Sequence, residues 1–83
     1  MRLRITPDAL EQLARLPRSD QERLRGKIEH YAAQKDPLKF AKHLTGHDAY
    51  RFRIGNHRVI FVKEGDSLVI VVIAKRDEAY KDI

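Results

Sequence analysis

The sequence contains no cysteine, which excludes a disulfide framework, cysteine-ligated zinc and iron–sulfur centres. It has no glycine-rich phosphate loop, and no carboxylate pair accompanies His43 and His47 to complete a metal site. The longest apolar run, LVIVVIA at residues 68–74, is too short to span a bilayer, and the N-terminus lacks the apolar stretch of a signal peptide. We expect a cytoplasmic protein without membrane contact, metal or cofactor.

The positive charge is concentrated in one part of the chain. The 83 residues carry a net charge of +5, and their length predicts one small domain over residues 1–83. Residues 39–63 hold six Lys/Arg against one Asp/Glu, whereas the surpluses of the two flanking segments cancel. A local basic patch is typical of proteins that bind a polyanion, although it is also compatible with a merely solvated surface.

The N-terminal half predicts a strand followed by two helices. Residues 1–5 (MRLRI) alternate as a strand does, and Thr6-Pro7 is a helix start with a hydroxyl cap. Pro17 ends this helix, and Ser19-Asp20-Gln21-Glu22 resembles a capping box, so a second helix is predicted to begin near residue 20 and to stop at Asp36-Pro37. The two helices should form an antiparallel hairpin.

The C-terminal half predicts three strands after a basic connection over residues 38–48. The strands cover about residues 49–54, 57–63 and 67–74, with turns at Gly55-Asn56 and Gly65-Asp66. Residues 68–74 of the third strand are all apolar, so it should be a central strand, beside which the first strand forms a plausible edge. The predicted fold is α+β, in the order β-α-α-β-β-β, with the helical hairpin on one face of a mainly antiparallel sheet.

A two-residue turn at Gly55-Asn56 sets Arg53 opposite Arg58 and Arg51 opposite Ile60. Because directly paired residues share a sheet face, the three arginines should project from the side away from the helices, which we call the arginine face. Like charges directly opposite each other are unfavourable, so the pairing suits a site for an anion better than a solvated surface.

The same logic applied to the turn at Gly65-Asp66 sets Arg58 against Ile73. Arg76 would then lie just past the third strand, level with the Gly55 turn. Four arginines are thus predicted to converge at one end of the sheet.

These residues are similar to a known family. The segment YRFRIGNHRVIFVKEGDSLVIVVIAKRDEAY, residues 50–80, resembles the RelE/ParE superfamily of toxins from type II toxin–antitoxin systems, and its RelE-like branch most closely. The family pattern is a strand with two cations, a glycine turn, an Arg-Val-Ile strand, an apolar strand, then a basic pair and a tyrosine. The helical hairpin before it matches in length and order but is generic.

The resemblance implies a ribosome-dependent mRNA endonuclease that cleaves messages in the ribosomal A site. It implies a cognate antitoxin that silences the toxin, and binding to operator DNA only together with that antitoxin. The family's site corresponds here to the strand cations, the transition-state arginine, a second arginine and the C-terminal tyrosine: Arg51, Arg53, Arg58, Arg76 and Tyr80. Both strand cations are arginines here, where active nucleases often have lysines, and the spacing from Arg76 to Tyr80 is shorter than in some members.

Such a reaction would be metal-independent, with a 2′-hydroxyl attacking the adjacent phosphorus. Arginine stays protonated, so the arginines can bind phosphate and stabilise charge but cannot act as the base. The candidate proton carriers are Tyr80, His57 and His47, although the derived register turns His57 toward the core. The further candidate RNA contacts are Lys39, Lys42, His47 and His57.

Two other functions remain open. A ParE-like inhibitor of DNA gyrase would share the fold, but such members tend to lack the nuclease residues. A non-catalytic basic module would bind nucleic acid or a partner through the same face without cleaving it, and would show a steep dependence on salt.

Overall fold

The computed structural model describes residues 1–75; Arg76 and Tyr80 lie outside the described residues. Two α-helices, α1 and α2, and a short 3₁₀ helix accompany five strands, β1 to β5. In chain order they are β1 Arg2–Ile5, α1 Pro7–Ala14, α2 Arg18–Ala32, the 3₁₀ helix Pro37–Phe40, β2 Lys42–His43, β3 Tyr50–Ile54, β4 His57–Glu64 and β5 Ser67–Lys75. The predicted α+β order is confirmed, with β2 and the 3₁₀ helix added inside the basic connection.

The start of α1 is the predicted one, but the start of α2 is not. The hydroxyl of Thr6 accepts a hydrogen bond from the backbone N–H of Ala9 at 3.2 Å. Helix α2 begins at Arg18 behind Pro17, which has no capping side chain, so the predicted capping box is wrong. The side-chain amide of Gln21 instead donates to the carbonyl of Leu16 at 2.8 Å and ties the end of the first helix to the second.

The five strands form one sheet in the order β1-β5-β4-β3-β2. β1 lies at the edge beside β5, as expected, and pairs with it in parallel. The β2–β3, β3–β4 and β4–β5 pairs are antiparallel, so the sheet is mixed but mainly antiparallel. Beyond the end of β1, the backbone N–H of Ile73 on β5 donates to the side-chain carbonyl of Gln12 at 2.7 Å, so α1 satisfies part of this edge.

The main core lies between the helices and the sheet. It is built from apolar residues of α1 and α2 on one side and alternate residues of the strands on the other, including Leu13, Leu24, Phe52, Phe61 and Ile70, each at most 2% exposed. The rings of Phe52 and Phe61 stack at 4.5 Å. This packing fixes which face of β3 and β4 is turned toward the helices and therefore which face carries the arginines.

The register between β4 and β5 contains an irregularity. Ile60 pairs with Val72 but Phe61 pairs with Ile70, which leaves Val71 as an extra residue on β5. Such a bulge shifts every pairing beyond it by one residue. The predicted pairing of Arg58 with Ile73 is therefore wrong: Arg58 faces Ala74, and Ile73 faces Val59 in the main core.

Neither helix of residues 1–75 combines the length and the apolar character needed to cross a membrane.

Candidate nucleic-acid interface

The arginine face carries two rows of paired cations. In one row Lys42 on β2 lies opposite Arg51 on β3, which lies opposite Ile60 on β4. In the next row Arg53 lies opposite Arg58. The hairpin register predicted from the two-residue turn is confirmed, and the short strand β2 adds Lys42 to the same face.

The turn that sets this pairing depends on Gly55. Its φ of +58° is in the left-handed region, which favours glycine. A Cβ added there would lie 3.5 Å from the guanidinium of Arg23, which forms an ion pair with Asp20 at 3.0 Å. Helix α2 thus packs against the turn that aligns Arg53 with Arg58.

Arg58 is buried although it belongs to this cationic cluster. Its residue exposure is 3%, and its Nε and Nη1 atoms have no hydrogen-bond partner. A buried guanidinium with unpaired donors is costly, because the donors have lost water without gaining another acceptor. Such groups are uncommon in folded proteins. An anionic oxygen placed at this position would complete the missing hydrogen bonds.

The neighbours of Arg58 on the sheet differ in exposure. Arg53, directly opposite, is exposed, whereas Arg51 is half-buried. On the other side the pairing partner is Ala74. The cluster therefore presents one cation at the surface and one at its base, an arrangement that could hold two oxygens of a single phosphate.

A second apolar cluster occupies the centre of the arginine face. Ile60, Leu44 and Ala49 are buried there, with Val62, Val71, Val72 and Ala74 packed against them. A groove of about 500 Å³ runs along this cluster and is also lined by His47 and Asp48. This groove was not predicted from the sequence. The sequence did indicate that both faces of β5 are covered, because residues 68–74 are apolar at every position.

The other predicted RNA contacts occupy different places. Lys39 and Lys42 are exposed on the 3₁₀ helix and β2, and His47 lies at the groove. His57 is 4% exposed and lies opposite Ile54 on the helix side of the sheet, so the structure does not bring it to the arginine face. Its two ring nitrogens have no hydrogen-bond partner. Within residues 1–75 no group of side chains could hold a metal ion.

The charge is distributed unevenly between the two layers. Residues 7–36, which contain both helices, hold six basic and six acidic side chains. The strand positions on the arginine face hold several arginines and Lys42, with Glu64 as the one carboxylate of a strand on that face among the described residues. The net positive charge is thus on the sheet side, where it can attract a polyanion.

Solved structures with the same fold are toxins from archaea and bacteria. A RelB–RelE antitoxin–toxin complex from Methanococcus jannaschii matches with a TM-score of 0.75 and 23% identity, over 96% of this chain and 98% of that chain. An archaeal RelE–RelB complex from Pyrococcus horikoshii OT3 matches with a TM-score of 0.71 and 26% identity, over 94% and 97%. The intact E. coli RelBE toxin–antitoxin complex matches with a TM-score of 0.73 and 16% identity, over 89% and 94%.

The family follows from the sequence match. Residues 3–80 match the model of the ParE toxin of the type II toxin–antitoxin system parDE. No protein with a curated description matches the sequence. The chain therefore belongs to the ParE toxin family, within the RelE/ParE superfamily of type II toxins, which confirms the resemblance drawn from residues 50–80.

Proposed function

We propose that this toxin is an endoribonuclease that cleaves messenger RNA in the ribosomal A site, in the cytoplasm, and is neutralised by an antitoxin. The observation that carries the proposal is Arg58: a buried guanidinium with unpaired donors, directly opposite Arg53 and on the same face as Arg51. A surface that only binds RNA through charge gains nothing from burying a cation in this way, because exposed cations serve that purpose at lower cost.

The chemistry assigns different work to different groups. The 2′-oxygen forms a bond to the adjacent phosphorus, the bond from phosphorus to the 5′-oxygen breaks, and the products are a 2′,3′-cyclic phosphate and a 5′-hydroxyl. Arg58 and Arg53 stabilise the charge on the phosphorane oxygens. The proton of the 2′-hydroxyl passes to a base, and the leaving oxygen takes one from an acid. His47 at the groove and Tyr80, which lies outside the described residues, are the proposed carriers.

An antitoxin partner is supported by two observations. The three similar structures are all named as toxin–antitoxin complexes. The arginine face combines cations with an aliphatic groove, which suits a segment that carries both acidic and apolar side chains. We propose that the antitoxin covers this face and that the chain contacts operator DNA only together with it.

The test is cell-free translation with intact ribosomes, followed by the integrity of the message. Wild-type protein should stop synthesis and shorten ribosome-bound messages, whereas Arg58→Ala should do neither. Arg25→Ala removes an exposed arginine of α2 and should behave as wild type. Intact messages and unimpaired synthesis with folded wild-type protein would exclude the nuclease.

Inhibition of DNA gyrase is the second candidate, favoured by the ParE name of the matching family. It predicts loss of supercoiling at stoichiometric toxin, with messages left intact. The same protein preparation should be tested in both assays, since the two functions then give opposite results.

A further inference from the structure

Strand β1 carries two arginines that the proposed nuclease site does not use. Leu3 and Ile5 pack against the main core, and alternation along the strand places Arg2 and Arg4 on the opposite side, where both are exposed. The register confirms this face, because Arg4 lies opposite Val69, which in turn lies opposite Val62 of the groove.

The two groups of cations stand at opposite edges of one surface. β1 is separated from β3 by β5 and β4. Three strand spacings of about 4.8 Å and two residues along the strand place the backbones of Arg4 and Arg51 roughly 16 Å apart. The aliphatic groove formed by Ile60, Val62 and Val72 lies between them.

Arg4 already has an anionic neighbour. Its Nη1 lies 3.3 Å from Oε2 of Glu64, with the two side chains 65% and 59% exposed. An exposed ion pair of this kind contributes little to stability, so a phosphate with more acceptor oxygens can compete with the carboxylate. The contact also shows that the side chains of Arg4 on β1 and Glu64 on β4 meet above β5, which lies between their strands.

We propose that Arg2 and Arg4 form a second phosphate-binding site, which holds the same RNA strand at a distance from the cut. The proposal rests on the proposed function, since it assigns the RNA on the arginine face a path from Arg51 across the groove to β1. At a rise of about 3.4 Å or more per nucleotide, roughly 16 Å corresponds to no more than about five nucleotides. Only RNA longer than this engages both sites.

The test measures binding of fluorescent 2′-O-methyl RNA, which cannot be cut because its attacking oxygen is blocked. A trinucleotide and an octanucleotide are titrated by anisotropy between about 50 and 200 mM salt. The test variant is Arg2→Gln/Arg4→Gln. The matched control is Arg18→Gln/Arg25→Gln, which removes two exposed arginines from α2.

The affinity of the test variant for the octanucleotide should be about 5- to 10-fold lower than that of the wild type. Its slope of log K against log salt should be shallower by about 1.4, because each of the two lost phosphate contacts on a single strand contributes about 0.7. The ratio of octanucleotide affinity to trinucleotide affinity should be smaller in the test variant than in the control variant. Arg2→Lys/Arg4→Lys should recover most of the loss, and Glu64→Gln should bind the octanucleotide about 2- to 3-fold more tightly. The last two variants separate loss of a phosphate site from misfolding.

Equal octanucleotide affinity and salt slope in the test and control variants would overturn the β1 site. This failure is distinct from failure of the proposed function, which is read from the integrity of ribosome-bound messages after treatment with wild-type protein. If Arg53→Gln weakens binding of both oligonucleotides while the β1 variant weakens neither, RNA contacts Arg53 but not β1, and the β1 site is overturned. The β1 variant could also weaken octanucleotide binding while folded wild-type protein leaves ribosome-bound messages intact. That result would support the β1 site as an RNA-binding site and exclude the nuclease.

Discussion

Arg58 lies directly opposite Arg53 across the β3–β4 hairpin, and yet Arg58 is buried while Arg53 is exposed. The pairing brings two like charges together, and the burial removes one of them from water. Both features oppose folding. A protein without disulfide bonds retains the paired charges and the buried guanidinium at some cost in stability, which is the pattern expected of a site organised for a ligand.

The first prediction concerns this cost. Arg58→Met replaces the buried guanidinium by an apolar chain, and we expect the free energy of unfolding to rise by about 1–3 kcal/mol because unsatisfied donors are removed. Arg53→Met, at the exposed partner, should change it by less than about 0.5 kcal/mol. Urea denaturation measures both. A destabilised Arg58→Met protein would mean that the guanidinium is satisfied in the folded state.

The second prediction concerns the turn that aligns the pair. Gly55→Ala places a Cβ at a positive φ and against the guanidinium of Arg23, so we expect a loss of about 1–2 kcal/mol. The matched control is Gly26→Ala, where a Cβ meets nothing within 4 Å in the middle of α2, and which should gain about 0.5–1 kcal/mol. Equal effects of the two substitutions on thermal unfolding would contradict the proposed strain at the turn.

The register of the hairpin could be predicted from the sequence because a two-residue glycine turn leaves one pairing that keeps Phe52 and Val59 on the core side. The pairing across β4 and β5 could not. Residues 68–74 are apolar at every position, so no alternation marks Val71 as the extra residue. The position of the bulge is set by how the two faces of β5 pack against the main core and the second apolar cluster, which the sequence alone does not specify.

Two further differences have local causes. β2 is only two residues long, Lys42 and His43, and a pair of polar residues in a basic segment carries no strand signal. The predicted capping box near residue 20 is wrong because α2 starts directly after Pro17. The side chain of Gln21 donates a hydrogen bond to the carbonyl of Leu16 and does not cap the helix. His57 was predicted both as a candidate RNA contact and as a residue facing the core, and its position opposite Ile54 agrees with the second.

The third prediction concerns the edge of β5. Gln12→Ala removes the acceptor for the backbone N–H of Ile73, and we expect a loss of about 1–2 kcal/mol because a partly buried donor is left unpaired. Gln34→Ala, whose amide bonds to the carbonyl of His30 at the exposed end of α2, should cost less than about 0.5 kcal/mol. Chemical denaturation distinguishes them, and similar values for both would show that the Gln12 bond is not needed.

The fourth prediction concerns the short strand β2. Lys42→Gln removes the cation opposite Arg51, and the affinity for single-stranded RNA should fall about 3-fold, with a decrease of about 0.7 in the salt slope. Lys27→Gln on α2 should leave both quantities unchanged. Equal losses in the two variants, measured by anisotropy, would show that RNA responds to net charge and not to the arginine face.

The central claim is that Arg58 stabilises the charge developed when a message is cut. Its most direct measurement is single-turnover cleavage of a defined message on purified ribosomes, with the ends of the products identified. Wild-type protein should give a 2′,3′-cyclic phosphate and a 5′-hydroxyl, and Arg58→Ala, verified as folded, should be slower by at least about 100-fold. Cleavage by Arg58→Ala at the wild-type rate, or no cleavage by either protein, would contradict the claim.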